Sequence, residues 1–423
     1  MVKYNIIGNM TGNSMDALDF VLTEFNGDKM TDICTFSTPY DAAMQNKIEE
    51  LRRQVYNKTS LEIENLPLFH EIHDEYIRGV ASAINTMCEF NNLDKKQIDA
   101  IGFHGKTLDH NPPSKAHRNG DMPYTLQMGS GQMLADLTGL RVVYDFRSAL
   151  VMNGFEGAPL IPPHNAHIAM SEGDGIYYNG GNTSNFALVR NHVALIGSDS
   201  GPFNEYIDNF VRVNTNQSFD VDGKLGEKGK INKKLLKQIF ALGEGFYNSP
   251  LPKSGDPAYY HKQEIFDYVK EQNIGFADAL RSFEYSAAYV AAYTLSQIPE
   301  TVAIPDKIVL FGGGWKNPLV LKDFTQLLSG EGLILPEHKK LFADLLQRLK
   351  KTPSIRYSSF GEYMEARLFA DMARYRLQNK VWELAEVISS GKKIICGQIA
   401  EPVRGRQHYL DKVNLAAKGW QYR

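Results

Sequence analysis

The chain is short of cysteine, of long apolar runs and of excess charge of either sign. Its three cysteines, Cys34, Cys88 and Cys396, are too far apart for a CxxC or Cys/His spacing. That removes a disulfide framework and a structural zinc site, and it fits a reducing cytoplasm. No uninterrupted apolar stretch approaches the ~18 residues a spanning helix needs, and no apolar leader opens the sequence, so a cytoplasmic protein with no membrane partner is expected. Lys and Arg number 46 against 49 Asp and Glu, a net charge of −3, and no basic stripe occurs. A nucleic-acid partner is therefore excluded. The Gly-Lys-Ser/Thr of a P-loop, the dinucleotide fingerprint and low-complexity segments are absent as well. What remains is an ordinary globular composition, 43% hydrophobic and 22% charged, over 423 residues. That length exceeds one ordinary core, so two domains are expected.

The most informative stretch runs from Tyr4 to Phe25. An apolar run (Tyr4, Ile6, Ile7) breaks into Gly8, Asn9, Thr11, Gly12, Asn13 and Ser14, then resumes at Leu18, Phe20, Val21 and Leu22. The pattern predicts two strands joined by a loop of small donors. Gly8 and Gly12 permit positive φ, which lets backbone N–H groups converge on an anion. Asp16 and Asp19 follow, and carboxylates beside a phosphate call for a cation such as Mg²⁺. Taken alone, the stretch reads equally well as an ordinary hairpin.

Helical spacing follows over Ala42 to Tyr56 and Leu66 to Asn91, then a short strand, Ile98 to Phe103, that ends in His104-Gly105-Lys106-Thr107. Strand ends are where sites sit. A strand from Leu140 to Tyr144 ends in Asp145-Phe146-Arg147, and the breaker-rich Gly154 to Pro159 marks the approximate start of a second domain. There Ile176 to Asn179, a turn Gly180 to Asn185, and Phe186 to Val189 repeat the opening hairpin. A second turn, Asp199 to Asn204, leads into a helix, Glu205 to Val211. Lys307 to Phe311 runs into Gly312-Gly313-Gly314, where the main chain can approach a ligand closely. The last long helix is expected over Gly361 to Leu377, opening with Glu362 and Glu365, and the tail Arg404 to Arg423 carries no assignable pattern. Each turn alone is structural more often than functional. Jointly they fit ATP held between two related domains, with Asp145 left over as a general base. His104 has no second histidine at ligand spacing, so no protein metal ligand is assigned, and Lys106 reads either as a solvated charge or as a phosphate contact.

These residues resemble the anhydro-N-acetylmuramic acid kinases, of the actin, hexokinase and heat-shock chaperone superfamily. The family's G-x-M-S-G-T-S-x-D-G-x-D is similar to Gly8 through Asp19, its H-G-Q-T to His104 through Thr107, its T-L-Q to Thr125 through Gln127 and its D-F-R to Asp145 through Arg147. Further along, N-x-G-G-x-x-N is similar to Asn179 through Asn185, D-T-G-P-G-N to Asp199 through Asn204, P-K-S-T-G in part to Pro252 through Gly255, G-G-G-x-x-N-P to Gly312 through Pro318 and E-A to Glu365-Ala366.

The resemblance implies an α/β, two-domain, actin-like (ribonuclease H-like) kinase with an ATP cleft between its domains, residues 1–150 with about 370–423 and about 151–369. It implies Mg²⁺ and ATP as cofactors and a small-molecule anhydrosugar as partner; a homodimer is left open. Water attacks the anomeric carbon of the 1,6-anhydro ring while the freed 6-oxygen takes the γ-phosphoryl group, and Asp145 matches the base. Nucleotide binding falls to Gly12, Asn13, Ser14, Met15, Asp16, Ala17, Leu18 and Asp19 in the first domain. In the second it falls to Gly181, Asn185, Asp199, Gly201, Asn204, Gly313, Gly314 and Asn317. Sugar binding falls to His104, Thr107, Arg147 and Glu365.

Several residues depart from the pattern: Asn13 for Thr, Ala17 for Gly, Lys106 for Gln, Ser130 for Asp, Glu156 for Gln, Asn182 for Gly and Phe203 for Gly. A side chain at Phe203, where the family has glycine, is expected to be strained or to shift the backbone. Two other readings stay open, a kinase of a different anhydrosugar such as levoglucosan and an ATP-binding homologue without turnover.

Overall fold

The computed structural model describes residues 2–11, 17–55, 58, 60–113, 122–255 and 257–403. The expected loop residues Gly12, Asn13, Ser14, Met15 and Asp16, and the tail from 404, lie outside the described residues. The strands are β1 (Lys3–Thr11), β2 (Ala17–Asn26), β3 (Lys29–Pro39), β4 (Ala100–Phe103), β5 (Lys106–Asn111), β6 (Tyr124–Met128) and β7 (Val142–Tyr144), followed by β8 (Gly175–Gly180), β9 (Thr183–Arg190), β10 (Val193–Pro202), β11 (Lys307–Phe311), β12 (Ser354–Tyr357) and β13 (Gln398–Ala400). Two compact units emerge, Met1–Leu160 with Tyr363–Arg423, and Ile161–Glu362.

In the first unit β1, β2 and β3 form an antiparallel meander, and β4 and β7 add in parallel beside β1. β13 closes the edge antiparallel to β7, and β5 and β6 form a separate ribbon. The helices Ala42–Val55 and Pro67–Phe90 bury Ile48, Leu51, Ile72, Ile77, Val80 and Ile84 at 3.6-residue spacing, in one core with Ile7, Phe20 and Ile101 of the sheet. The opposite face is shaped by what is missing from it. Gly8 of β1 and Gly102 of β4 are register partners. A Cβ at Gly8 would lie 1.9 Å from the Ala366 carbonyl oxygen, and one at Gly102 would lie 2.1 Å from that of Phe369. The two glycines therefore make a bare strip on which the helix Met364–Leu377 lies backbone to backbone. Arg367 of this helix ties it to Asp32 on β3 through its Nε, at 2.9 Å.

The second unit repeats the plan. β8, β9 and β10 form the meander, and β11 and β12 add in parallel beside β8. Its core centres on the helix Phe276–Ser296, apolar around nearly its whole circumference and buried accordingly. A meander extended by two parallel strands beside its first strand is the ribonuclease H-like arrangement. Finding it twice gives the two-domain actin-like α/β fold. No helix among the described residues is long and apolar enough to cross a membrane.

Some local expectations are corrected. Thr183 to Asn185 belong to β9 and Asp199 to Pro202 belong to β10; Gly181 and Asn182 alone reverse the chain, which frees the polar residues after them to pair. Lys106 and Thr107 open β5 instead of ending in a loop. The last long helix begins at Met364, not Gly361, because Tyr363 sits in the left-handed region (φ 53°) and cannot continue a right-handed turn. The helix Ala385–Ser390 and β13, unforeseen, are too short to show a period.

Candidate active site

In the first unit, pairing of Asn9 with Phe103 and of Phe103 with Tyr144 brings the carboxyl ends of β1, β4 and β7 level. Asp145 follows β7 directly, in the left-handed region (φ 53°) that short polar side chains tolerate. Its carboxylate is held on both sides. Oδ1 accepts from the amide of Ser148 (3.3 Å), the first residue of the short helix Ser148–Met152, and Oδ2 accepts from Gln398 Nε2 (2.8 Å). Gln398 comes from β13, which has no sequence pattern that would have pointed to it.

Beside this acid, Arg147 donates from Nε to His104 Nε2 (3.0 Å) and from Nη1 to the Gly157 carbonyl (2.6 Å). His104 Nδ1 meets the Gly105 carbonyl at 2.9 Å. One ring nitrogen accepts and the other donates, so the imidazole is neutral with its proton on Nδ1. Burial, with the Arg147 charge second, holds its pKa well below the usual range. The ring stacks on Phe369 at 4.5 Å, so the helix on the glycine strip also fixes the histidine. Thr107 Oγ1 accepts from Gln127 Nε2 (3.3 Å), which also donates to Thr125 (2.7 Å). Lys106 is fully buried, so it is not a solvated charge; burial pushes its amine down to about 7, with Arg52 adding and Glu49 and Glu365 opposing.

Glu365 stands in the first turn of the helix Met364–Leu377. It is exposed to solvent, yet its carboxyl is raised above the usual range, first by the surrounding protein and then by Asp19. It is thus a recessed group still reached by water. Asp19 accepts from Ser37 Oγ (2.8 Å), and Ala17 and Leu18 open the same strand. The negative charge of Asp19 thus bears directly on Glu365.

In the second unit, Asn179, Asn185 and Asp199 are register partners across β8, β9 and β10. Asn185 Oδ1 is buried without a hydrogen-bond partner, an acceptor that a ligand donor would satisfy. Asp199 Oδ2 accepts from the Gly255 amide (2.7 Å). Gly201, at the bulge after Asp199, has φ 144°. Gly312 has φ 91°, and a Cβ there would lie 2.5 Å from Asn179 Oδ1. A Cβ at Gly313 would meet nothing within 4 Å, so this is the glycine whose main chain a ligand can approach. At Gly314 a Cβ would collide with Asn204 Oδ1 (2.5 Å) and the Phe203 ring (2.6 Å).

The helix Asn204–Asn214 does not offer its first amides to a ligand. The Phe203 amide donates to the Asn182 carbonyl (2.7 Å) and the Asn204 amide to the Gly181 carbonyl (3.1 Å). Asn317 is likewise occupied. It caps the helix Pro318–Ser329 through Oδ1 (2.9 Å from the Leu319 amide) and donates from Nδ2 to Glu284 (2.9 Å). Phe203 keeps a negative φ of −121° with ψ −86°, and its ring packs 4.7 Å from Trp315. Trp315, whose edge occupies the space a Gly180 side chain would need, is a second residue that sequence reasoning missed.

The family model described as anhydro-N-acetylmuramic acid kinase matches residues 4–349. The chain belongs to the anhydro-N-acetylmuramic acid kinase family. An anhydro-N-acetylmuramic acid kinase of Vibrio vulnificus is 27% identical over 390 residues, covering 91% of this chain and 95% of its own. Another, of Xylella fastidiosa, is 30% identical over 320 residues, covering 74% and 79%. Within this kinase family the departures are now placed. Ser130 caps the helix Gly131–Thr138 through the Met133 amide (3.1 Å), work that the family's Asp does equally well. Asn182 contributes its carbonyl, which any residue has. Asn13 lies outside the described residues, and Glu156 is half-buried within reach of Glu386.

Proposed function

We propose that this family member is an ATP-dependent kinase of 1,6-anhydro-N-acetylmuramic acid, working in the cytoplasm in peptidoglycan recycling. Water adds to the anomeric carbon, the bond from that carbon to O6 breaks, and O6 takes the γ-phosphoryl group, giving N-acetylmuramic acid 6-phosphate and ADP. The observation that carries this reading is Asp145, a carboxylate at a strand tip clamped by Ser148 and Gln398 and flanked by the Arg147–His104 pair. An acid so held can take the proton of the attacking water. Arg147 and neutral His104 present fixed polar groups beside it, and with Thr107 and Glu365 they form the sugar side.

Bound ATP supplies the phosphoryl group, with Mg²⁺ neutralising its charge. Asp19 with Ala17, Leu18 and the loop from Gly12 to Asp16 would hold the phosphates and Mg²⁺. Gly181, Asn185, Asp199, Gly201, Asn204, Gly313 and Gly314 would hold the rest of the nucleotide; Asn317 supports them through its cap without touching it. No nucleic acid or membrane partner enters.

The test is ADP release from Mg-ATP with 1,6-anhydro-N-acetylmuramic acid, with levoglucosan and with neither, for the wild type and Asp145→Asn. Release that depends on the muramic sugar and is abolished in the variant is the expected result. Faster turnover of levoglucosan would reassign the substrate. If neither sugar releases ADP while ATP still protects the protein against heat, a binding role replaces the kinase.

A further inference from the structure

The second unit contains a buried cation that the proposed chemistry does not use. Lys253 donates from Nζ to the Tyr247 carbonyl (2.8 Å) and to Gln297 Oε1 (2.9 Å), and its third side faces the Phe246 ring at 5.0 Å. Gln297 is itself fixed by donating to the same Tyr247 carbonyl (2.6 Å). Burying an ammonium is expensive, and a methionine of similar length would fill the space without that cost. A reason other than packing is needed.

The backbone around Lys253 supplies one. Its amide donates to Ser198 Oγ (2.9 Å) and its carbonyl accepts from the Asp199 amide (3.0 Å). Two residues on, the Gly255 amide donates to the Asp199 carboxylate (2.7 Å), and a Cβ at Gly255 would lie 2.3 Å from the Tyr260 hydroxyl oxygen. The segment from Lys253 to Gly255 thus grips Asp199 at both its backbone and its side chain. The Asp199 carboxylate also favours the charged form of Lys253, against the burial that disfavours it.

We infer that Lys253 is a positioning residue for nucleotide binding: its ammonium anchors the segment whose amide aims the Asp199 carboxylate. The inference rests on the reading of Asp199 as a nucleotide-side residue. Lys253 touches neither substrate and acts through Asp199.

The test measures kcat and the separate KM values for Mg-ATP and for the anhydrosugar in the full-length protein, for Lys253→Met, Lys253→Arg, Gln297→Leu and Asp199→Asn. Losing a supporting contact of this kind costs roughly tenfold or more. Lys253→Met should raise KM for Mg-ATP by about that factor and leave the sugar KM within about twofold, with Lys253→Arg restoring most of the loss. A role in folding alone would lower thermal stability and kcat and leave both KM values in place, which would overturn the inference. If Lys253→Met does not fold, Gln297→Leu, which loosens the ammonium without removing it, must show the same selective rise in KM for Mg-ATP; an unchanged value is equally fatal. Asp199→Asn separates the two failures. If it leaves KM for Mg-ATP unchanged, the reading of Asp199 has failed; if it raises that KM while the Lys253 variants do not, only the positioning role has.

Discussion

Asp145 shows what a single residue can and cannot disclose. Its place at the end of a strand, followed by Phe146 and Arg147, was legible in the sequence, because strand tips deliver side chains out of the sheet. The group that aims it was not: Gln398 lies 253 positions away on a three-residue strand with no pattern of its own. Phe203 is the converse case: a ring where the family pattern has glycine sits at negative φ and packs on Trp315. Lys106, which by type could be a solvated charge or a phosphate contact, is sealed by position. Gln398 carries a prediction of its own. Replacing it with leucine removes the donor to Oδ2 but leaves the acid and the Ser148 contact, so kcat should fall by about tenfold. Asp145→Asn should cost the roughly 10²- to 10⁴-fold that a positioned base contributes. Steady-state ADP release on both variants decides this, and an unchanged kcat in Gln398→Leu would show that Asp145 does not need the clamp.

At the scale of elements, the longest helices and the opening hairpin of each unit were legible, the helices because their apolar residues keep a period of 3.6 over many residues. The ends of β9 and β10 were not, because Thr, Ser, Asn and Asp read as turn formers whether or not they pair. The seat of the helix Met364–Leu377 was hidden for another reason. That Gly8 and Gly102 would come side by side depends on strand register, which no local pattern gives. Their bareness sets the height of the helix that carries Glu365 and stacks Phe369 on His104. Gly8→Ala places a carbon 1.9 Å from a carbonyl oxygen of that helix, and backbone cannot yield as a side-chain tip would. The helix must lift, at a cost of about 1–3 kcal/mol for the added methyl group and more if it carries Glu365 with it. Urea unfolding should show that loss, and KM for the anhydrosugar should rise with it. A Gly8→Ala protein of wild-type stability would mean the helix is not seated as described.

For the molecule as a whole, the repeated turn at Gly180 announced two units of one plan, but where each buries its titratable groups could only be seen in the fold. Two buried groups answer pH in opposite senses, Glu284 of the second unit and His104 of the first. In the second, burial pushes Glu284 up to about 8, beside Asp220 and under the Asn317 amide. Unfolded, it releases its proton near its ordinary value of 4.5. Between those values the unfolded chain binds fewer protons than the fold, so this group's stabilising effect is full below 4.5 and is lost as pH rises through about 8. In the first unit His104 is held neutral well below its ordinary 6.5. The unfolded chain takes up that proton first, so stability falls as pH drops below 6.5 and through the lowered folded value. Lys106, pushed down to about 7, and Lys253, pushed down to about 8, add stability as pH rises past those values, so the test compares each variant with the wild type by urea unfolding from about pH 5.5 to 8.5. Glu284→Gln, an uncharged isostere that still accepts from Asn317, should gain stability relative to the wild type as pH rises through that range and keep the wild-type fall on the acid side. His104→Asn should flatten the acid side and leave the alkaline side. If the Glu284→Gln protein keeps the wild-type slope between about pH 6 and 8.5, Glu284 is already ionised in the fold.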